Sequence, residues 1–210
     1  MSSSRVQSFL AFYALLDRLC CLPRTGWTLH PEIGCVESVA DHSYATACVA
    51  LDSSVGLDPQ RRTRLVCMML LHDLAESIVG DIIPESLSKV SAAEKRMQEA
   101  SAMRELVLLL CNSDLHRMGA LYKELFTMYE DAHSPFARAA HVIDKIDMLC
   151  QAHCYSARYN VNLERFFTNR IVETSGDPKD SDRSEKHFLC KLFSLYKGIH
   201  EQYSPPMCRP

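Results

Sequence analysis

At 210 residues, 47% hydrophobic and 23% charged, the chain has the composition of an ordinary globular protein, long enough to bury its own core in one domain. A net charge of −3 and a pI near 6.3 argue against a polyanion-binding surface, and seven glycines are too few for a turn-rich all-β architecture. The densest basic run, Arg61, Arg62 and Arg64, lacks the interleaved aromatic residues that stack bases, so no nucleic-acid polymer is expected as partner.

The first segment, MSSSRVQSFLAFYALLDRLCCL, sets a basic residue before an apolar stretch, as a signal peptide does. Asp17 and Arg18 interrupt that stretch, however, and no small-residue cleavage site follows. Phe9, Phe12, Tyr13, Leu16 and Leu19 fall at helical spacing, which predicts an amphipathic helix over 5–21. Further helices are expected over 38–54, 59–79, 92–111, 114–131, 135–159 and 184–203. Asp58-Pro59 and Ser134-Pro135 each place an N-cap residue before proline at the first helical position. Ser91-Ala92-Ala93-Glu94 reads as a capping box. The polar loop TSGDPKDSDRSE, 174–185, delivers the last helix, with Phe188, Leu192, Leu195 and Ile199 expected to face the body of the domain. No segment alternates with period two, and no apolar run has membrane-spanning length. The expectation is a single all-α domain over 1–210, a bundle of six to seven helices with its core over about 10–160 and no sheet. None of the ten cysteines forms a Cys-x-x-Cys pair, which predicts reduced thiols in a cytoplasmic protein, several of them in the core. Cys150, His153 and Cys154 have the ligand types for a soft metal but not the spacing of a zinc site.

One stretch departs from this plain pattern. LLHDLAESIVGDIIP, residues 70–84, sets His72, Asp73, Glu76 and Asp81 into an oily run, where an unpartnered charge is costly. On a continuous helix over 59–79, Glu76 stands four residues from His72 and three from Asp73, while the consecutive pair splays by about 100°. Imidazole with carboxylate suits a borderline divalent ion such as Mn, Co, Fe, Ni or Zn. His42 in VADHSYATACVA and Asp144 in AAHVIDKIDMLCQA also interrupt core-like helical patterns. Two histidines and two carboxylates would neutralise a divalent cation and leave positions open for water and a substrate oxygen. A lone helical histidine is more often a satisfied core or surface residue than a ligand, and spacing does not choose between Asp144 and its neighbours His141 and Asp147.

The segments LLDRLCCLPRTGW, ESVADHSYA, LLHDLAESIVGDIIP and DKIDML resemble, in order and approximate spacing, the HD superfamily of metal-dependent phosphohydrolases. Within it they are most similar to the small 5′-deoxynucleotidases of the HD-domain-containing protein 2 family. The resemblance implies that His42, His72, Asp73 and Asp144 hold a divalent metal, Mg among the candidates. It implies that Glu76 and Asp81 are essential acidic residues, which in some members hold a second ion with help from the backbone oxygen at Ile82. It further implies that Arg24 and Trp27 lie in the segment that contacts nucleotide and deoxyribose in the family. A departure stands at WTLHPEIGC, where His30 lies near a position at which relatives tend to carry arginine.

The implied activity is hydrolysis of deoxyribonucleoside 5′-monophosphates to deoxynucleoside and phosphate, by a homodimer as in relatives. Glu76 is expected as the general acid for the 5′-alkoxide and Asp81 as the residue orienting water or phosphate. Trp27 would exclude a 2′-hydroxyl by bulk. Two other readings are weighed against this one: another HD reaction, on a phosphodiester or nucleoside triphosphate, and a non-catalytic metal- or nucleotide-binding module. The first usually brings further domains or basic channels, and the second has no use for Glu76 and Asp81 beside a metal.

Overall fold

Four of the long helices begin where a cap satisfies free backbone N–H groups. The Asp58 carboxylate accepts from Gln60 N and Arg61 N at 3.0 and 3.1 Å, starting α4 (Pro59–Leu71). Ser91 and Glu94 bond reciprocally at 2.7–3.2 Å and start α6 (Ala92–Cys111), and the two bonds from Ser91 hold the Glu94 carboxyl below its usual pKa. Ser134 Oγ accepts from Ala137 N at 3.0 Å and starts α8 (Pro135–Tyr159), which Asn160 closes in the left-handed conformation. A fourth cap, again a reciprocal box, was not foreseen: Ser38 N and Oγ both donate to Asp41 Oδ2, at 2.8 and 2.7 Å, and Asp41 N returns a bond to Ser38 Oγ at 3.0 Å. It starts α3 (Val39–Ser53) three residues before His42. Ser38→Ala is expected to cost about 1 kcal/mol, read as a fall in the midpoint of thermal or urea unfolding.

These elements belong to a computed structural model that describes residues 3–83, 89–111, 116–131, 133–167 and 183–203. The other long helices are α1 (Ser3–Cys21), α7 (His116–Asp131) and α9 (Arg183–Gln202). Two four-residue helices, α2 (Thr25–Thr28) and α5 (Glu76–Val79), and a 3-10 turn at Glu164–Phe167 were not expected. The fold is all-α, and the described residues pair as β only at one isolated antiparallel bridge, Pro23 with Ser38. The expected loop over 174–185 lies outside the described residues up to 182. Among the described residues no helix is long and apolar enough to cross a membrane.

The chain divides into two compact units. The first comprises Met1–His30, Cys35–Tyr44 and Leu70–Thr127. Here α1 packs on α5 and α6 through Phe12, Leu19, Val39, Leu74, Ala75, Ala102, Met103, Leu106, Leu110 and Phe126. Of the five residues that predicted α1, Phe12 and Leu19 are buried, whereas Phe9 and Tyr13 are more than half exposed.

The second unit comprises Pro31–Gly34, Ala45–Met69 and Met128–Pro210. Its centre is α8 against α9, with Ile143, Ile146, Leu149, Tyr155, Phe188 and Leu192 buried. On α9 the inward set is Phe188, Leu192, Phe193 and Tyr196, while Leu195 is 46% exposed, contrary to expectation. A helix buries about a 100° stripe, and two aromatic rings claim it here ahead of leucine. Tyr203 stacks on Phe167 with centroids 3.8 Å apart and accepts from Leu163 N at 2.9 Å. The expectation of core cysteines also fails among the described residues. Seven free cysteines are exposed and Cys67 is half-buried.

Candidate active site

The helix expected over 59–79 breaks where the ionisable residues lie. After Leu71 the chain tightens: Leu74 N donates to Leu71 O, Glu76 N to Asp73 O, Ser77 N to Leu74 O and Ile78 N to Ala75 O, all at 3.0–3.2 Å and all three residues apart. Three residues per turn bring positions i and i+3 into line, so Asp73 and Glu76 share a side. Leu74 and Ala75, each 1% exposed, are locked into the core with α1 and α6. The apolar pair therefore anchors the turn and fixes where its acidic neighbours point.

Three donor atoms converge there. His42 Nε2 lies 3.3 Å from His72 Nε2 and 3.5 Å from Asp73 Oδ2, and His72 Nε2 lies 3.3 Å from the same oxygen. The centre of that triangle is about 1.9 Å from each corner, close to the 2.0–2.2 Å bonds that divalent transition ions make to imidazole nitrogen and carboxylate oxygen. His42 and His72 are buried, at 0% and 5% exposure, so the donors are fixed in place by their surroundings. The donor set fits a divalent ion.

The remaining charges surround the triangle. Arg24 Nη1 is 3.2 Å from Asp73 Oδ2 and 3.9 Å from Asp81 Oδ1. Arg24 is placed by its N–H bond to Glu37 O at 3.0 Å, next to the Pro23–Ser38 bridge. Thr25 clasps Asp81 twice: its N–H donates to Asp81 Oδ2 at 2.6 Å and its hydroxyl to Asp81 O at 2.8 Å. Trp27, 3% exposed, donates its indole N–H to Glu37 Oε1 at 2.7 Å. Lys95 Nζ donates to the Ile82 carbonyl at 2.8 Å.

Glu76 is 2% exposed, and its Oε2 is buried with no hydrogen-bond partner among the described residues. Burial pushes its carboxyl well above the usual range, Asp73 and Asp81 push in the same direction, and Arg24 and Lys95 oppose them in part. This carboxyl keeps its proton at pH values where ordinary carboxylates have lost theirs.

Asp144 belongs to the second unit, on α8, with 13% of its side chain exposed and Lys145 Nζ 3.3 Å from Oδ2. Of its two competitors, His141 is engaged with Tyr129 O at 3.0 Å and Asp147 is 6% exposed. Thr25, Glu37 and Lys95 escaped sequence reading, because a threonine, a loop glutamate and a helical lysine carry no signal of their own. Glu37 and Thr25 did lie inside the segments ESVADHSYA and LLDRLCCLPRTGW.

Gly80 separates Glu76 from Asp81 with φ 85° and ψ 167°, a conformation open almost only to glycine. Among the described residues no atom beyond its chain neighbours lies within 4 Å of where a Cβ would stand, so Gly80→Ala meets backbone strain. Its expected cost is about 1–3 kcal/mol in unfolding free energy, with a fall in turnover as Asp81 shifts.

A model of the HD domain family matches residues 16–186. The chain belongs to the HD family. Its relatives there include the 5′-deoxynucleotidase hdd1 of Schizosaccharomyces pombe, 36% identical over 161 residues, covering 76% of this chain and 78% of that one. The 5′-deoxynucleotidase HDDC2 of Danio rerio is 36% identical over 203 residues, covering 94% and 88%. Among solved structures, a conserved hypothetical protein from Pyrococcus furiosus superposes with a TM-score of 0.66 at 25% identity, over 90% of this chain and 99% of that one.

Proposed function

We propose that this chain is a metal-dependent 5′-deoxynucleotidase, hydrolysing deoxyribonucleoside 5′-monophosphates to deoxynucleoside and phosphate. The observation that carries the reading is a buried, proton-retaining Glu76 beside the His42, His72 and Asp73 triangle, in a chain whose HD relatives bear that activity in their names. His42, His72 and Asp73 hold the divalent ion, and the match at DKIDML proposes Asp144 as the fourth ligand. The family model runs through segments of both units, which supports one HD domain.

A divalent ion bound there supplies Lewis acidity to a phosphate oxygen and lowers the pKa of water. Arg24 meets the phosphate dianion from the Asp73 and Asp81 side. Asp81, held by Thr25, orients the attacking water or the phosphate. As the water oxygen bonds to phosphorus, the P–O5′ bond breaks and the departing alkoxide takes the proton from Glu76. Trp27, fixed by Glu37, forms the wall that leaves no room for a 2′-hydroxyl.

The test is chromatographic analysis of the products formed from a panel of deoxy- and ribonucleoside 5′-monophosphates, phosphodiesters and triphosphates. Conversion of the deoxy monophosphates to deoxynucleoside and phosphate supports the reading. Cleavage only of diesters or triphosphates replaces it with another HD reaction, and cleavage of none leaves a binding module. Trp27→Phe keeps most of the bulk but breaks the bond to Glu37. It is expected to narrow the deoxy-to-ribo ratio of kcat/KM by about tenfold, the scale of one misplaced pocket contact.

We also place the protein in the cytoplasm as a homodimer. Eight described cysteines without a disulfide support a reducing compartment. The exposed stripe of Val6, Phe9, Leu10 and Tyr13 on α1 supports self-association, which sedimentation velocity tests directly.

A further inference from the structure

Glu37 stands where the segment carrying Arg24 and Trp27 meets the start of α3. Its main-chain oxygen accepts the Arg24 N–H at 3.0 Å, and its Oε1 accepts the Trp27 indole N–H at 2.7 Å. A carboxylate oxygen of Glu37 also lies within 4.8 Å of a ring nitrogen of His42.

The cap of α3 brings these two side chains together. Ser38 is the N-cap: its box with Asp41 closes the first turn, and its carbonyl accepts from His42 N at 3.1 Å. Glu37 therefore stands just before the cap, and His42 is the fourth residue of the helix. Those are the two positions whose side chains pack on each other at a capped helix start, commonly as an apolar pair. Here they hold a carboxylate and an imidazole, and the imidazole is fully buried. His42 turns Nε2 toward His72 and Asp73, which leaves Nδ1 on the other side of the ring.

We propose that Glu37 is a positioning residue that joins the metal centre to the sugar wall: one carboxylate oxygen holds Trp27, and the other holds the Nδ1–H of His42, directly or through one water. The proposal rests on the nucleotidase reading, which assigns the ion and the sugar, and deepens it. An imidazole that ligates a metal is oriented by an acceptor for its other ring N–H. A carboxylate serves two donors at once, because both of its oxygens accept. Glutamine serves only one, since its amide would set an N–H against the second donor. Hydrogen bonds in a chain polarise one another, so an ion on Nε2 tightens the Nδ1–H bond and draws acceptor charge away from the indole. Loading the metal centre is thereby felt at Trp27.

Trp27 is the chain's single tryptophan and so reports on itself. Full-length protein stripped with EDTA is titrated with Zn²⁺, a closed-shell ion without redox chemistry, while indole emission and calorimetric binding are followed. In wild type the emission is expected to change and to saturate with binding. Glu37→Gln is expected to bind Zn²⁺ about 10–100-fold more weakly and to lose most of the emission response at saturation. Wild type that binds Zn²⁺ with no change at Trp27 overturns the proposal, whatever becomes of the variant. A folded Glu37→Gln of unchanged affinity also overturns it. In the nucleotide assay, Glu37→Gln is expected to narrow the deoxy-to-ribo ratio of kcat/KM by about tenfold, as Trp27→Phe does, and the double variant no further. Narrowing that multiplies in the double variant would show two independent supports and overturn the link. A wild type that cleaves deoxynucleotide while its Trp27 ignores bound Zn²⁺ refutes the role of Glu37 and leaves the nucleotidase standing. One whose Trp27 responds to Zn²⁺ but which cleaves none, with any divalent ion, refutes the nucleotidase and leaves the link between Glu37 and the metal centre.

Discussion

Glu76→Gln is expected to lower turnover of a deoxyribonucleoside 5′-monophosphate by about 10²–10⁴-fold, the range of a positioned general acid, while the protein still binds its metal. Glutamine keeps the volume and the hydrogen-bonding ends of the side chain but has no carboxyl proton to give to the 5′-oxygen. The same change is expected to raise the stability of the metal-free protein. Glu76 has a folded-state pKa raised by burial and by Asp73 and Asp81, so its contribution to stability is fully present below the ordinary carboxylate pKa. That contribution is lost as pH rises through the raised folded value, where the buried carboxyl must ionise. Glutamine does not ionise. Melting temperatures followed in EDTA from acid to alkaline pH should therefore fall more steeply for wild type than for the variant, with the gap widening upward. Parallel curves would mean that Glu76 ionises without penalty, and the acid role would pass to another residue.

His72→Ala is expected to weaken divalent-ion binding by more than about 100-fold. Loss of a residue that merely supports a ligand already costs about 10–100-fold, and His72 supplies one of three converging donor atoms itself. At a metal concentration that saturates wild type, phosphate release should vanish and return only at much higher metal. Calorimetry with Mn²⁺ measures the affinity directly. An unchanged affinity would move the ion away from the His42, His72 and Asp73 triangle.

The helices were legible because their starts are written in short-range chemistry. Asp58, Ser91 and Ser134 each satisfy backbone N–H groups within three residues, so the signal is local. The break at Leu71 was not legible. The apolar run continues through Leu74, Ala75 and Ile78 at helical spacing, and only the core around α1 and α6 draws Leu74 and Ala75 in by a tighter turn. That turn, rather than an ideal helix, aligns Asp73 with Glu76. His42, His72, Asp73, Glu76 and Asp81 stood out because ionisable residues in oily surroundings are conspicuous in any sequence. Their supports did not: Thr25 reaches Asp81 across 56 residues, and Lys95 reaches Ile82 across 13. Contacts of that range are decided by packing. The same holds on α9, where Tyr196 and Phe193 displace Leu195 from the buried face.

The most direct measurement is phosphate release from a deoxyribonucleoside 5′-monophosphate by EDTA-stripped protein as a divalent ion is titrated back. Release should be absent from the stripped protein and rise to its maximum as the ion binds. Full activity in the stripped protein, or none at any concentration of Co²⁺, Mn²⁺ or Mg²⁺, would contradict the account.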